Sequence, residues 1–166
     1  MAFLSSVAHC ICADSARLTR RVGIGAVFAL AFSAGPSTAA DKTLYERLGG
    51  TYGIAGAVDD LVNRLYVNGT LNANPAIKAV HDQHGQAGFK YLVTAWSIEA
   101  TGGPKAYVGR PMDQAHAHLS ITNREFDIVE LEIKTSLAKF NVPVKEFDEF
   151  MAIIESNRGK VVTAGK

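Results

Sequence analysis

The sequence predicts an all-α chain, on three observations. Beyond residue 40, apolar residues recur at spacings of three and four in segment after segment, and the strict alternation of a half-buried strand is scarce. Thr122-Asn123-Arg124-Glu125 has the form of a capping box, in which the Thr and Glu side chains satisfy the first free amides of a helix. Glycine pairs and prolines (Gly49-Gly50, Gly102-Gly103-Pro104, Pro111, Pro143) stand at the edges of the periodic segments rather than inside them.

Residues 1–40 read as a secretory signal peptide, with cleavage expected near Ala40. Arg17, Arg20 and Arg21 form a positive n-region, Val22 to Ala34 form an apolar run, and Ser37, Thr38, Ala39 and Ala40 supply small residues before the cut. The run is shorter than the ~20 residues a membrane span needs. The mature part is therefore expected to carry no stable span and to be periplasmic or secreted, an uncleaved anchor being the alternative. Thr19-Arg20-Arg21 also has the twin-arginine pattern, although Gly23 interrupts the apolar pair expected next. Both cysteines, Cys10 and Cys12, fall in this segment, so the mature part is free of disulfides in a compartment that permits them.

Residues 41–166 make one domain of ordinary size. Of the 17 basic and 16 acidic residues, Arg17, Arg20, Arg21 and Asp14 lie in the presequence, which leaves the domain close to neutral. No basic patch or RNA-binding signature appears, so nucleic acid is not an expected partner.

The first long helix is predicted over 53–66, where Ile54, Ala57, Val58, Leu61, Val62 and Leu65 form one apolar stripe; Gly49-Gly50 before it allows a sharp turn. Residues 67–83 are polar and turn-rich, with only a short helix expected around Pro75 to Val80. A second long helix, over 85–101, places Phe89, Leu92, Val93 and Trp96 on its inner face and stops at Gly102-Gly103-Pro104. A short helix after Pro111 carries Met112, Ala115, His116 and Leu119. The helix opened by Thr122 carries Phe126, Val129, Ile133, Leu137 and Phe140. The last starts near Pro143 and carries Phe147, Phe150, Met151 and Ile154.

His116 is the residue on which chemistry turns. On a helix it shares a face with Met112 and Leu119, at offsets of four and three, so its ring points inward beside apolar side chains. A neutral imidazole there is either satisfied in the core by a hydrogen bond or offers a nitrogen lone pair to a metal. His118 lies two residues on, a rotation of about 200° at 3.6 residues per turn, and cannot face the same ion. A zinc site lacks support: no thiol remains after residue 40, and no His-Glu-x-x-His spacing exists.

Taken together, Thr43-Leu44-Tyr45-Glu46-Arg47-Leu48-Gly49-Gly50, the pair Gly102-Gly103, the segment Tyr107-Val108-Gly109-Arg110 and Ala115-His116 resemble the truncated haemoglobins, group I-like two-over-two globins. The resemblance spans roughly residues 43 to 155. It implies a truncated globin, a two-over-two helical sandwich, with His116 as the proximal iron ligand. Phe89, Trp96 and Phe126 would line the haem or the adjacent core, and Met112 would press on the porphyrin. Arg110 of the Tyr-x-Gly-Arg segment would meet a haem propionate, with Lys90 a second candidate.

The distal side departs from the family. Leu61 and Val62 stand where many members carry Phe-Tyr, whose tyrosine donates a hydrogen bond to oxygen; Tyr66 lies one turn further on. The distal helix has about two extra residues before Gly102, so the family's polar positions map onto Gln86, Lys90, Tyr91 or Val93. His81 and His84, just before that helix, are candidate sixth ligands. Loss of the tyrosine predicts fast oxygen release.

The resemblance thus implies haem b, held non-covalently because no C-x-x-C-H is present, binding O2, NO or CO. Oxygen transport and handling, nitric oxide removal and redox sensing all fit. No flavin or nicotinamide motif appears, so turnover would draw on an external reductant, and whether the chain is an enzyme stays open. The alternatives are a haem-free helical interaction module and a reversible haem carrier.

Overall fold

The computed structural model describes residues 41–165. The expected signal peptide, its cleavage point and both cysteines lie outside the described residues, apart from Asp41. The described residues form helices and connecting turns without strands. In order these are α1 Leu44–Arg47, α2 Gly50–Val67, α3 Gly69–Asn72, α4 Pro75–Gln83, α5 Gln86–Ala100, α6 Met112–His116, α7 Asn123–Lys139, α8 Val144–Ser156 and α9 Arg158–Val161.

The starts of these helices are written in local side chains. Thr43 and Glu46 close a capping box on α1, and Thr122 and Glu125 close the expected one on α7. Gly49 (φ 85°) and Gly50 (φ 64°) supply the left-handed turn that admits α2. The stretch that looked turn-rich holds two helices instead of one. Asn68 caps α3 through the amides of Thr70 and Leu71, and Asn74 caps α4 through those of Ala76 and Ile77, with Pro75 in the first turn. α4 runs on to Gln83 and so carries His81.

α2 is the central element, packing on α5 along one side and α7 along another; α7 meets α8, and α1 bridges α2 and α8. Ile54, Val58 and Val62 close on Ile98 of α5, while Leu61 and Leu65 face Phe126, Ile133 and Leu137 of α7. Full burial of each such side chain contributes about 1.5–3 kcal/mol. The α2–α7 seam is also pinned by charge. Asp60 accepts from Arg64 Nε at 2.7 Å, Lys139 Nζ at 2.5 Å and Ser136 Oγ at 2.9 Å, which holds its carboxyl well below the usual carboxylate range. Arg47 ties α1 to Glu146 and Glu149.

Two packing expectations need correction and a third is refined. On α5 Phe89, Leu92, Val93 and Trp96 face inward as expected, half-buried along a cavity, while Ala95, Ser97 and Ile98 are the most buried. The helix has two inward faces: one packs on α2, and the other borders a cavity. Phe140 lies past the end of α7, 44% exposed, because the chain turns there through Asn141 at φ 53°. Leu119 lies beyond α6, whose last residue is His116.

Candidate functional site

A cavity of about 1230 Å³ opens between α2, α4, α5, α6, α7 and the 101–111 loop. Small-molecule pockets usually span about 300–1000 Å³, so this one suits a large, mostly apolar ligand. Phe89, Tyr91, Val93 and Trp96 of α5 line it, with Tyr107 and Arg110 of the loop, Met112 and His116 of α6, and Phe126 of α7. His81, His84 and His118 also border it. Gln86, Lys90 and Val62 do not. Lys90 Nζ is taken up by Asp59 at 2.6 Å and Asn63 at 2.8 Å, which removes it as a propionate partner. Val62 is fully buried between α2 and α5, behind the cavity wall. Leu61 faces the cavity instead.

His116 closes α6, and its ring turns back along the helix so that Nδ1 lies 2.8 Å from the carbonyl oxygen of Met112. A carbonyl can only accept, so Nδ1 carries the proton. The neutral ring then keeps its lone pair on Nε2. Burial pushes this histidine below its ordinary pKa, more than the Met112 carbonyl raises it, and so favours the neutral form. Met112 and Leu119 both border the cavity with His116, as the shared face predicts, although Leu119 lies in the turn past the helix and donates its amide to the His116 carbonyl at 3.0 Å. Because the helix has ended, His118 also escapes the 200° argument; it is exposed and borders the cavity.

The loop before α6 is set by one close contact. Tyr107 donates its hydroxyl to the Arg110 carbonyl at 2.7 Å, curling its ring over Gly109. A Cβ on Gly109 would lie 2.4 Å from that ring, so any larger residue there must displace the Tyr107 side chain or the loop. The curl leaves Arg110 exposed at the cavity edge, with no ion pair to any described residue.

The pocket wall beside α4 rests on a network that the sequence did not reveal. His81 Nδ1 lies 2.8 Å from Asn72 Oδ1, and its ring stacks on Tyr66 with centroids 4.1 Å apart. Asn72 Nδ2 donates to the Tyr66 carbonyl at 2.9 Å, and the Tyr66 hydroxyl donates to the His84 carbonyl at 3.2 Å. Tyr66 therefore serves as a platform and does not reach into the cavity. The cue that was available is local: Asn68 and Asn74 as helix caps would have placed Asn72 and His81 on successive short helices.

Among the described residues, no three His, Cys, Asp or Glu side chains converge on a point that would cage a bare ion. An iron already held by a macrocycle asks only one or two donors of the protein. A wide apolar cavity, one oriented imidazole lone pair and a free guanidinium at the edge are what such a group needs, and the residues fit haem. Fold and site define a helical haem-pocket protein, a globin.

The chain belongs to the bacterial-like globin family, whose model matches residues 43–163. It is 29% identical over 121 residues to the group 1 truncated hemoglobin GlbN of Nostoc sp. (strain MUN 8820), covering 73% of this chain and 98% of that one. Its counterpart in Nostoc commune is 28% identical over the same length. Among solved structures, the 2/2 hemoglobin from Synechococcus sp. PCC 7002, in the cyanomet state with covalently attached heme, superposes with a TM-score of 0.61 at 25% identity, over 73% of this chain and 98% of that one. The truncated hemoglobin from Tetrahymena pyriformis, in the Fe(III) form, shares the fold with a TM-score of 0.61 at 24% identity, over 75% and 100%. The expected truncated two-over-two globin fold is thus the one observed, and haem is the cofactor of the family to which the chain belongs.

Proposed function

We propose that this chain is an exported haem b protein that binds diatomic gases, with His116 Nε2 as the proximal iron ligand. The observation that carries the assignment is the His116 Nδ1 to Met112 carbonyl bond of 2.8 Å, which fixes the ring in the tautomer that can ligate. Metal-bound histidines usually donate their other nitrogen in this way. When bound, haem supplies an iron with a position for O2, NO or CO and a ferrous–ferric couple. Phe89, Val93, Trp96 and Phe126 keep water from the ring, and Arg110 pairs with a propionate. No protein donor is read from Val62, so oxygen is held less well, relative to carbon monoxide, than where a tyrosine donates. Electrons for any turnover come from an external reductant.

Export rests on Arg17, Arg20, Arg21, the apolar run and the small residues before Asp41. A haem-free scaffold leaves both the cavity and the fixed tautomer of His116 without a purpose. The test is titration of the haem-depleted protein with haemin, followed by absorption, beside His116→Ala. The wild type gives a strong Soret band; His116→Ala loses or shifts it, and added imidazole restores it. A band unchanged in His116→Ala would remove His116 as the ligand, and no band in the wild type would remove the function.

A further inference from the structure

The helix that carries His116 is weakly specified by its own residues. α6 is five residues long, has no side-chain cap, and packs chiefly on α9 among the described helices. The bond from Nδ1 to the Met112 carbonyl aims the ring relative to α6, but it does not fix where α6 stands. The turn that follows passes through Ser120 at φ 49°. Side chains adopt that left-handed conformation rarely, and it persists where the surroundings hold it.

The last described residues of the chain hold this turn at both ends. α9 is anchored on α7, where Arg158 donates to Asp127 at 2.7 Å and its guanidinium lies 4.3 Å over the Phe126 ring. Val161 and Val162 then pack against the core. Beyond them the amides of Thr163 and Ala164 both donate to the Ile121 carbonyl at 2.9 Å. The Thr163 hydroxyl accepts from the Ile121 amide at 3.1 Å and gives its single proton to the His116 carbonyl at 3.4 Å. One hydroxyl thus bridges His116 and Ile121. The second of its bonds is long for an O–H donor, so the hydroxyl acts mainly by closing the turn through Ile121.

We propose that residues 158–164 are a strap that sets the place of α6, with Thr163 the positioning residue for His116. The inference rests on His116 as the proximal ligand. The distance and tilt at which its Nε2 meets the iron depend on where α6 stands as well as on how the ring is aimed. Groups that hold a ligand from behind tune a metal in this way.

The test compares Thr163→Val, which keeps the side-chain shape and both backbone bonds but cannot bridge, with Thr163→Ser, which can. Thr43→Ala removes a cap on α1 and controls for a general loss of stability. Resonance Raman of the ferrous, gas-free protein reads the iron–histidine stretch. That band should broaden and shift in Thr163→Val, return in Thr163→Ser, and match the wild type in Thr43→Ala. Amide hydrogen exchange of the haem-loaded protein gives a readout independent of the iron. The Leu119 amide, bonded to the His116 carbonyl, should exchange about two- to tenfold faster in Thr163→Val, the factor that one net hydrogen bond represents.

A band and a Leu119 exchange rate unchanged in Thr163→Val overturn the proposal. Equal changes in Thr43→Ala, or no recovery in Thr163→Ser, also overturn it. Failure of the underlying reading looks different: the wild type then shows no iron–histidine band, or one that survives His116→Ala, and the strap has no ligand to place.

Discussion

Gly109→Ala tests how the loop at the cavity edge is held. The new methyl carbon would sit 2.4 Å from Cζ and Oη of Tyr107 and 2.6 Å from Cε2. No real contact is that short, so one of two things gives. If the loop moves, the cost is that of overpacking, about 1–3 kcal/mol. If the Tyr107 ring swings out, its hydroxyl loses the Arg110 carbonyl, a bond of 2.7 Å, and such a loss costs about 0.5–1.5 kcal/mol, plus the packing of the ring. Either route predicts destabilisation of about 1–3 kcal/mol in urea unfolding of the haem-loaded protein. The decisive arm is the double mutant. With Tyr107→Ala the obstruction is gone, and Gly109→Ala should become neutral or stabilise by about 0.4–1 kcal/mol, because alanine narrows the unfolded ensemble. A coupling energy near zero between the two positions would refute the reasoning.

Three further outcomes follow from other parts of the chain. The Asp60 carboxyl is depressed in the folded state by Arg64 first and then by Lys139, so its contribution is fully present above the unfolded pKa of about 3.9. That contribution is lost as pH falls below that value toward the folded one. Thermal melts of Asp60→Asn should therefore lie below wild type near neutrality and converge with it in strong acid; a pH-independent difference would count against the ion pairs. Thr122→Ala removes the cap of α7 and should cost about 0.5–2 kcal/mol, read by chemical unfolding, with Thr122→Ser close to wild type. Amino-terminal sequencing of the exported protein should begin at or near Asp41, and an intact Met1 on a membrane-bound protein would replace the cleaved signal with an anchor.

Legibility in the sequence followed the range of the interaction. Thr122 and Glu125 announced α7 because a capping box works across three residues, and no other part of the molecule is needed to form it. The α2 stripe was equally plain, since Ile54, Val58, Leu61, Val62 and Leu65 sit at helical spacings and all are buried. α3 was missed, and α4 was expected from Pro75 but with its end three residues early. Their starts depend on single Asn caps in a polar stretch, where asparagine is as common in loops as at helix ends.

α5 shows the limit of a periodicity argument. A stripe identifies an inward face but cannot tell a face packed on another helix from a face bordering a cavity. Trp96 and Phe89 were therefore read as lining either the haem or the core, and the structure puts them on the cavity side, while Ala95 and Ser97 are the most tightly buried. His116 was legible as the residue of interest because a motif surrounds it.

By itself the sequence determined an all-α chain, its main helices and one histidine with apolar company. Each of those rests on offsets of a few residues, which the covalent chain keeps whatever the rest of the fold does. Only the tertiary structure decided that Lys90 is spent on Asp59 and that Val62 is sealed behind the wall. It alone also set His81, and not His84, in place through Asn72 and Tyr66. Such choices depend on which side chains from different helices arrive within about 3 Å of each other, the reach of a hydrogen bond. That is fixed by how helices pack, not by how far apart their residues stand in the chain.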